Sequence, residues 1–411
     1  MLRKNLWSLL FCVFLFQSFL PGRTAFSDAP PPLLIVKPPY LQSPKKDAIT
    51  IMWETNKKAS SVVEYWVKKK KQAEKFASPE LVYIHEVTLS GLEVETVYNY
   101  QVTSVEPAES GTREEKATSD ERVFKTAVRE KTPFCFAVYG DNRGDDPHDP
   151  FAASIHKRIA DAMAEKRPDL FINTGDVVQS GQNYWEWEKM FFGPLSELLK
   201  TTPFYISLGN HERRSDSRRF NDYVSYPEPE VYYSFDYGNA HFVVLDSYPR
   251  GKFRKEFPGK MPFVPGTTQY EWLVKDLQSE NATRALWRFA VIHYPPYCAA
   301  DYGRSDVQVL SPVFEEYNVD VVFSGHSHIY ERTHPLKAGE VDLDDGVTYV
   351  VTGGGGAPLS KLHAKRAYWT AEAASKYHYC LIKIAQGNLH MMVYDIDGKL
   401  IDLLFLEKPA S

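Results

Sequence analysis

Five short, mostly apolar runs in this chain each stop at a residue that can bind a metal ion. Gly140-Asp141 follows 134–139, Gly175-Asp176 follows 170–173, and Gly209-Asn210-His211-Glu212 follows 204–208. His293 follows 287–292, and Gly325-His326-Ser327-His328 follows 319–323. Runs of this length suit strands covered on both faces better than helices. Strands of that kind belong to an α/β sheet, in which side chains just beyond the strand ends converge in one crevice. A glycine before the functional residue lets the backbone turn there. Asp, Asp, Asn, His and a His pair are the oxygen and imidazole donors that two hard-to-borderline ions need. A carboxylate shared by both ions would set a dinuclear centre in which a bridging water is acidified and attacks a phosphoryl group.

Between the runs the spacing predicts helices over 151–166, where Ile155, Ile159 and Met163 recur, and over 185–199, 269–277 and 307–317. Asp141 and Asp176 are then one strand-helix-strand unit apart, and a right-handed crossover brings both carboxylates to one sheet edge. A hairpin is expected over 232–235 and 241–245, and a β-rich tail over 346–352, 379–385, 388–394 and 399–406.

Ahead of residue 132 the texture differs. Strand-like segments at 48–53, 61–67, 80–89, 96–102 and 122–126 have no competing helical period and suit an all-β sandwich. The stretch 92–100 resembles the corner of a fibronectin type III module, in which a Tyr ties a loop to the following strand. Pro30-Pro31-Pro32 and Pro38-Pro39 read as an extended linker, and Lys68-Lys69-Lys70-Lys71 as a solvated hairpin tip. The expected organisation is a signal at 1–27, a β-sandwich at 33–130 and an α/β domain at 131–408.

Residues 1–27 carry Arg3 and Lys4, an apolar stretch over 6–20 and Ala25-Phe26-Ser27 before Asp28, which reads as a cleaved secretory signal and a secreted or periplasmic protein. The stretch is shorter than a spanning helix requires and is broken by Ser8, Gln17 and Ser18. The formal charge of −5 becomes three units more negative without that segment, which excludes nucleic acid and anionic membranes as expected partners. Once Cys12 leaves, Cys135, Cys298 and Cys380 allow at most one disulfide and have no zinc-type spacing; Cys135 is expected to be buried.

The five motifs together resemble the calcineurin-like metallophosphoesterases. The β-sandwich in front and the run His326-Ser327-His328-Ile329-Tyr330-Glu331-Arg332 are most similar to the purple acid phosphatase branch. The resemblance implies a catalytic domain made of a two-sheet β-sandwich flanked by helices. It implies that Asp176 bridges two ions, that Asp141 and His328 hold the first, and that Asn210, His293 and His326 hold the second. His211 would steady phosphoryl oxygens or protonate the leaving alcohol, with Glu212 as its orienting partner or a surface residue.

Two positions depart from the pattern. Purple acid phosphatases have a Tyr three residues after the bridging Asp, where this chain has Gln179, so no coloured ferric centre is expected and Mn, Zn or ferrous Fe suits the donors better. Many members of the wider family place a His two residues after the first Asp, where this chain has Arg143, a candidate phosphate clamp. Asn142, Gln179 or water must complete the first ion's shell.

The expected function is an exported phosphoester hydrolase acting on small phosphate esters. The alternatives are a binding or adhesion protein with a vestigial phosphatase-like domain, and a diesterase or anhydride hydrolase of the same fold. His148, His156, His241, His334 and His378 are expected to be surface or satisfied core residues. Gly353-Gly354-Gly355-Gly356 lacks a following Lys-Ser/Thr and reads as a tight loop near the metal centre, and Asn281-Ala282-Thr283 matches a glycosylation acceptor.

Overall fold

The computed structural model describes residues 31–67, 73–108, 113–144, 153–213, 218–248, 255 and 260–409. The expected signal, the hairpin tip at 68–71, His148 and parts of the loops around 145–150, 213–230 and 248–265 lie outside these residues.

Pro38 and Pro39 do not make a linker. Ile35–Gln42 forms β1 and pairs antiparallel with β2 (Ala48–Val67), with the prolines, which lack an amide proton, at the register shift between Lys37 and Tyr40. β2 pairs with β3 (Glu74–Ser90) along both halves, but with β4 (Val97–Glu106) only from Ser60 onward. β5 (Glu115–Thr118) and β6 (Arg122–Lys125) add to β4. Leu41, Ile51, Trp53, Tyr100 and Phe124 thereby share one buried core. The Glu93 amide donates to Tyr98 Oη at 2.9 Å, which ties the loop to the strand as a tyrosine corner does.

Beyond residue 132 two sheets form. One has the order β21-β20-β19-β7-β8-β9, built from β7 (Phe134–Tyr139), β8 (Leu170–Asn173), β9 (Phe204–Ile206), β19 (His378–Ala385), β20 (Asn388–Asp395) and β21 (Leu400–Glu407). The other has the order β10-β11-β12-β13-β17-β14-β18. It comprises β10 (Tyr233–Tyr237), β11 (Ala240–Leu245), β12 (Trp287–Ile292), β13 (Val321–Ser324), β14 (Tyr330–Thr333), β17 (Thr348–Thr352) and β18 (Thr370–Ala374). Leu336–Lys337 (β15) and Glu340–Val341 (β16) make a small separate hairpin.

Strand alternation explains why these runs are apolar throughout. Phe242, Val244, Phe289, Val291 and Phe323 belong to the core shared with β7 and β8, whereas Val243, Leu245, Ala290, Ile292 and Val322 pack with Leu273 and Leu277 of helix α2 (Thr268–Leu277). Phe136 of β7 meets Phe242 and Phe289 edge-on, with ring centroids 5.2 and 5.3 Å apart, so the two sheets are joined through aromatic contacts. Helix α1 (Ser154–Lys166) crosses over from β7 to β8, which are parallel, as are β8 and β9.

Other segments differ from expectation. The helix predicted over 185–199 starts as one turn at Tyr184–Glu186, widens into a π-helix at Trp187–Phe192 and stops at Gly193, whose N–H reaches back to the Glu188 carbonyl. Pro194 then has no N–H with which to continue it. The helix predicted over 307–317 divides into a 3-10 segment, Ser305–Leu310, and α3 (Ser311–Glu316), with Pro at the junction. Cys135 is half-buried rather than buried, and all three described cysteines are free.

Candidate metal centre

The C-terminal ends of β7, β8 and β9 from one sheet face those of β12 and β13 from the other. The backbone turns hard just beyond them: Asp141, Asp176 and His326 have φ of 56°, 56° and 65°. Such left-handed non-glycine residues cost on the order of 1–3 kcal/mol each and concentrate at functional sites. Glycines make the approach possible, since a Cβ at Gly209 would strike the Asp176 carboxylate and one at Gly325 that of Asp141.

Asp176, His293 and His326 present ligand atoms within 4.8 Å of one another. His293 Nδ1 donates to the Thr174 carbonyl at 2.8 Å, which stitches the two sheets together and leaves Nε2 facing inward. Nε2 lies 3.2 Å from Asn210 Oδ1 and 3.4 Å from Asp176 Oδ1. In the neutral ring these are three lone-pair donors turned on one another, an arrangement that calls for a positive charge between them. His328 repeats it: Nδ1 donates to the Pro358 carbonyl at 2.6 Å, while Nε2 faces Asp141 Oδ1 at 3.5 Å. The Thr174 hydroxyl, buried beside Asp141, has no hydrogen-bond partner among the described residues. The structure thus brings Asp141, Asp176, Asn210, His293, His326 and His328 to one place, and their chemistry fits metal ions.

Burial raises the Asp141 carboxyl above its ordinary range despite the pull of His328. Burial opposes ionisation of Asp176 too, but there His293, His211 and Arg143 outweigh it and the group is held low. Burial, with the neighbouring His293, lowers His326 to about 3, so its imidazole is neutral and able to ligate.

Glu212 is neither a surface residue nor the partner of His211. Its buried carboxylate accepts from the backbone N–H groups of Asp176 (3.0 Å), Val177 (2.8 Å), Val178 (3.2 Å) and Gly209 (2.9 Å), locking the loops after β8 and β9 together. Only its position three residues beyond Gly209 hinted at that role. His211 is oriented instead by the Gln179 carbonyl, 2.9 Å from Nδ1, and its Nε2 faces Asp176 Oδ2 at 3.7 Å.

Asn142 is turned away from the centre. Its amide donates to the carbonyls of Val177 and Met190 and accepts from Asn173, beside a His156 ring held by Tyr139 Oη and the Met190 carbonyl. His378 is likewise a satisfied core residue, bonded to Thr352 and the Lys376 carbonyl. The glycine run lies against the centre, with Gly355 N–H on the Gly140 carbonyl and Ala357 N–H on that of Asp141, both at 2.8 Å. Arg143 reaches in from the rim, Nε 3.5 Å from Asp176 Oδ2 and Nη1 3.1 Å from Gln179 Oε1.

Residues 136–330 match the calcineurin-like phosphoesterase family, and residues 38–126 match the purple acid phosphatase N-terminal domain. The chain carries both domains, in that order. It is 29% identical to purple acid phosphatase 21 of Arabidopsis thaliana over 341 residues, covering 76% of this chain and 69% of the relative. With acid phosphatase type 7 of Mus musculus it shares 25% identity, covering 80% and 78%. The purple acid phosphatase from yellow lupin (Lupinus luteus) seeds superposes with a TM-score of 0.73 at 21% identity, over 90% of this chain and 74% of that one, and so shares the fold. The purple acid phosphatases it matches are metal-dependent phosphoester hydrolases, and theirs is a family that uses a dinuclear metal centre. No helix among the described residues is long and apolar enough to cross a membrane.

Proposed function

We propose that the chain is an exported hydrolase of small phosphate esters, in which Asp141, Asp176 and His328 hold one metal ion and Asp176, Asn210, His293 and His326 hold a second. The observation that carries this reading is the convergence of His293 Nε2, Asn210 Oδ1 and Asp176 Oδ1 while Nδ1 is committed to a carbonyl. When bound, such a pair of ions stabilises charge on the phosphoryl oxygens and acidifies the attacking water.

The remaining work belongs to side chains. His211, steered by the Gln179 carbonyl, presents Nε2 beside the Asp176 carboxylate and is the group assigned to pass a proton to the leaving alkoxide. Arg143 supplies a fixed cation at the rim for a phosphate oxygen. Asn142 does not complete the first ion's shell in this reading, because its amide is fully engaged in the core. The domain limits at 33–130 and 131–408, cleavage after residue 27 and a secreted or periplasmic location are part of the same proposal. Manganese, zinc or ferrous iron matches the oxygen and imidazole donors.

The test is metal analysis and a visible spectrum of the purified chain, followed by turnover of a panel of phosphate mono- and diesters. Two ions per chain, no purple band and metal-dependent hydrolysis are expected. A metal-free preparation that hydrolyses phosphate esters, or a metal-loaded one that hydrolyses none, would overturn the reading.

A further inference from the structure

The two oxygens of Asp176 have different surroundings. Oδ1 faces His293 Nε2 at 3.4 Å and accepts from the His211 N–H at 2.9 Å, on the side where Asn210 and His326 gather. Oδ2 faces the Arg143 guanidinium, with Nε at 3.5 Å. That guanidinium is held in place. Gln179 Nε2 donates to the Gly144 carbonyl at 2.6 Å, which turns Oε1 toward Arg143 Nη1 at 3.1 Å. The Arg143 side chain is 14% exposed, so little solvent screens its charge from an Asp176 side chain that is 2% exposed.

We infer that Gln179 is a positioning residue that fixes Arg143 as a built-in competitor for the first metal ion, so that the two ion positions are unequal. The inference rests on the assignment of Asp141, Asp176 and His328 to the first ion. Among the described residues that position has three protein donors against four for the second, and one of the three is the Asp176 oxygen already facing a cation. A guanidinium beside that oxygen weakens it as a ligand in two ways: it neutralises the carboxylate's charge and repels the incoming ion. The second position, with Asn210, His293 and His326 around Oδ1, lies on the other side of the carboxylate. The first ion is therefore the exchangeable one, and Arg143 with Gln179 sets how exchangeable it is.

The test is equilibrium dialysis of the full chain against Mn²⁺, with bound metal read by mass spectrometry and spin coupling read by electron paramagnetic resonance. Wild type should bind in two steps, the second requiring roughly tenfold more free Mn²⁺. R143Q should bring the steps together by tightening the weaker one, with the coupled-pair signal appearing at lower Mn²⁺. Q179A should move partway in the same direction, and R143K, which keeps the charge but loses the hold of Gln179, should move no further than Q179A. H328A should lose the weak step and H326A the tight one. Uptake of both ions in a single step by wild type, an R143Q variant whose weaker step is unmoved or weakened, or loss of the gap in R143K would overturn the inference while leaving the two-ion assignment standing. Retention of two ions by D176A, or no uptake by wild type, would sink the assignment itself.

Discussion

Two kinds of histidine–aspartate encounter in this molecule look alike in composition and hold different things. Buried His241 lies between Asp236 and Asp276, with nitrogen-to-oxygen distances of 2.8 and 2.9 Å. His293 and His328 meet Asp176 and Asp141 at 3.4 and 3.5 Å. The difference lies in the other nitrogen. Both ring nitrogens of His241 face carboxylates, so both carry protons; burial opposes that charge, but Asp236 and Asp276 outweigh it and raise the group to about 9. In His293 and His328 the Nδ1 proton goes to a backbone carbonyl, and Nε2 faces a carboxylate oxygen at a distance longer than a good hydrogen bond. A histidine with carboxylates at both ends is an ion pair, and one with a carbonyl behind and acceptors in front is set up to ligate.

The most damaging way to break this comparison is Asp176→Ala, which removes the oxygen donor facing both His293 and Arg143. Metal analysis should show both ions lost and turnover of an aryl phosphate abolished; two ions retained would show that the carboxylate is not shared. His211→Ala should keep the metal and lower kcat by roughly 10²–10⁴, the usual contribution of a positioned proton donor. Metal loss in that variant would move His211 into the ligand set.

The smallest effect tests the ion-pair side. The folded-state pKa of His241, about 9, lies above its ordinary 6.5, so its stabilisation is complete below pH 6.5 and is lost as pH rises through 9. That window spans on the order of 3 kcal/mol. Chemical denaturation from pH 6 to 10 should show stability falling in wild type and a flatter profile in His241→Gln, with metal content unchanged in both. Equal slopes in the two proteins would mean that His241 is not the group responsible.

The strand ends were legible because their signal is local: an apolar run, often a glycine, then a donor. Asp141, Asp176, Asn210, His293, His326 and His328 could be listed from that pattern, and parallel pairing of β7 with β8 and of β12 with β13 accounts for their meeting. What the pattern cannot carry is the direction of a side chain. Asn142 sits next to Asp141 and looks equally available, yet its amide is turned into the core by Asn173 and two carbonyls. Glu212 was misread for the same reason, since its partners are backbone N–H groups after another strand. Pro38-Pro39 misled differently, because a proline pair reads as a break unless a bulge at a sheet edge accommodates it.

The four backbone donors gathered by Glu212 also bear on the order of events in maturation. The loops bearing Asp176 and Asn210 are clasped by a carboxylate of the chain itself, so no ion is needed to draw them together. The polypeptide is therefore expected to complete its fold before it meets a metal, with loading as a late and reversible step. A chelator should then silence the enzyme without unmaking it, and the emptied protein should return to work when metal is restored, with no refolding in between.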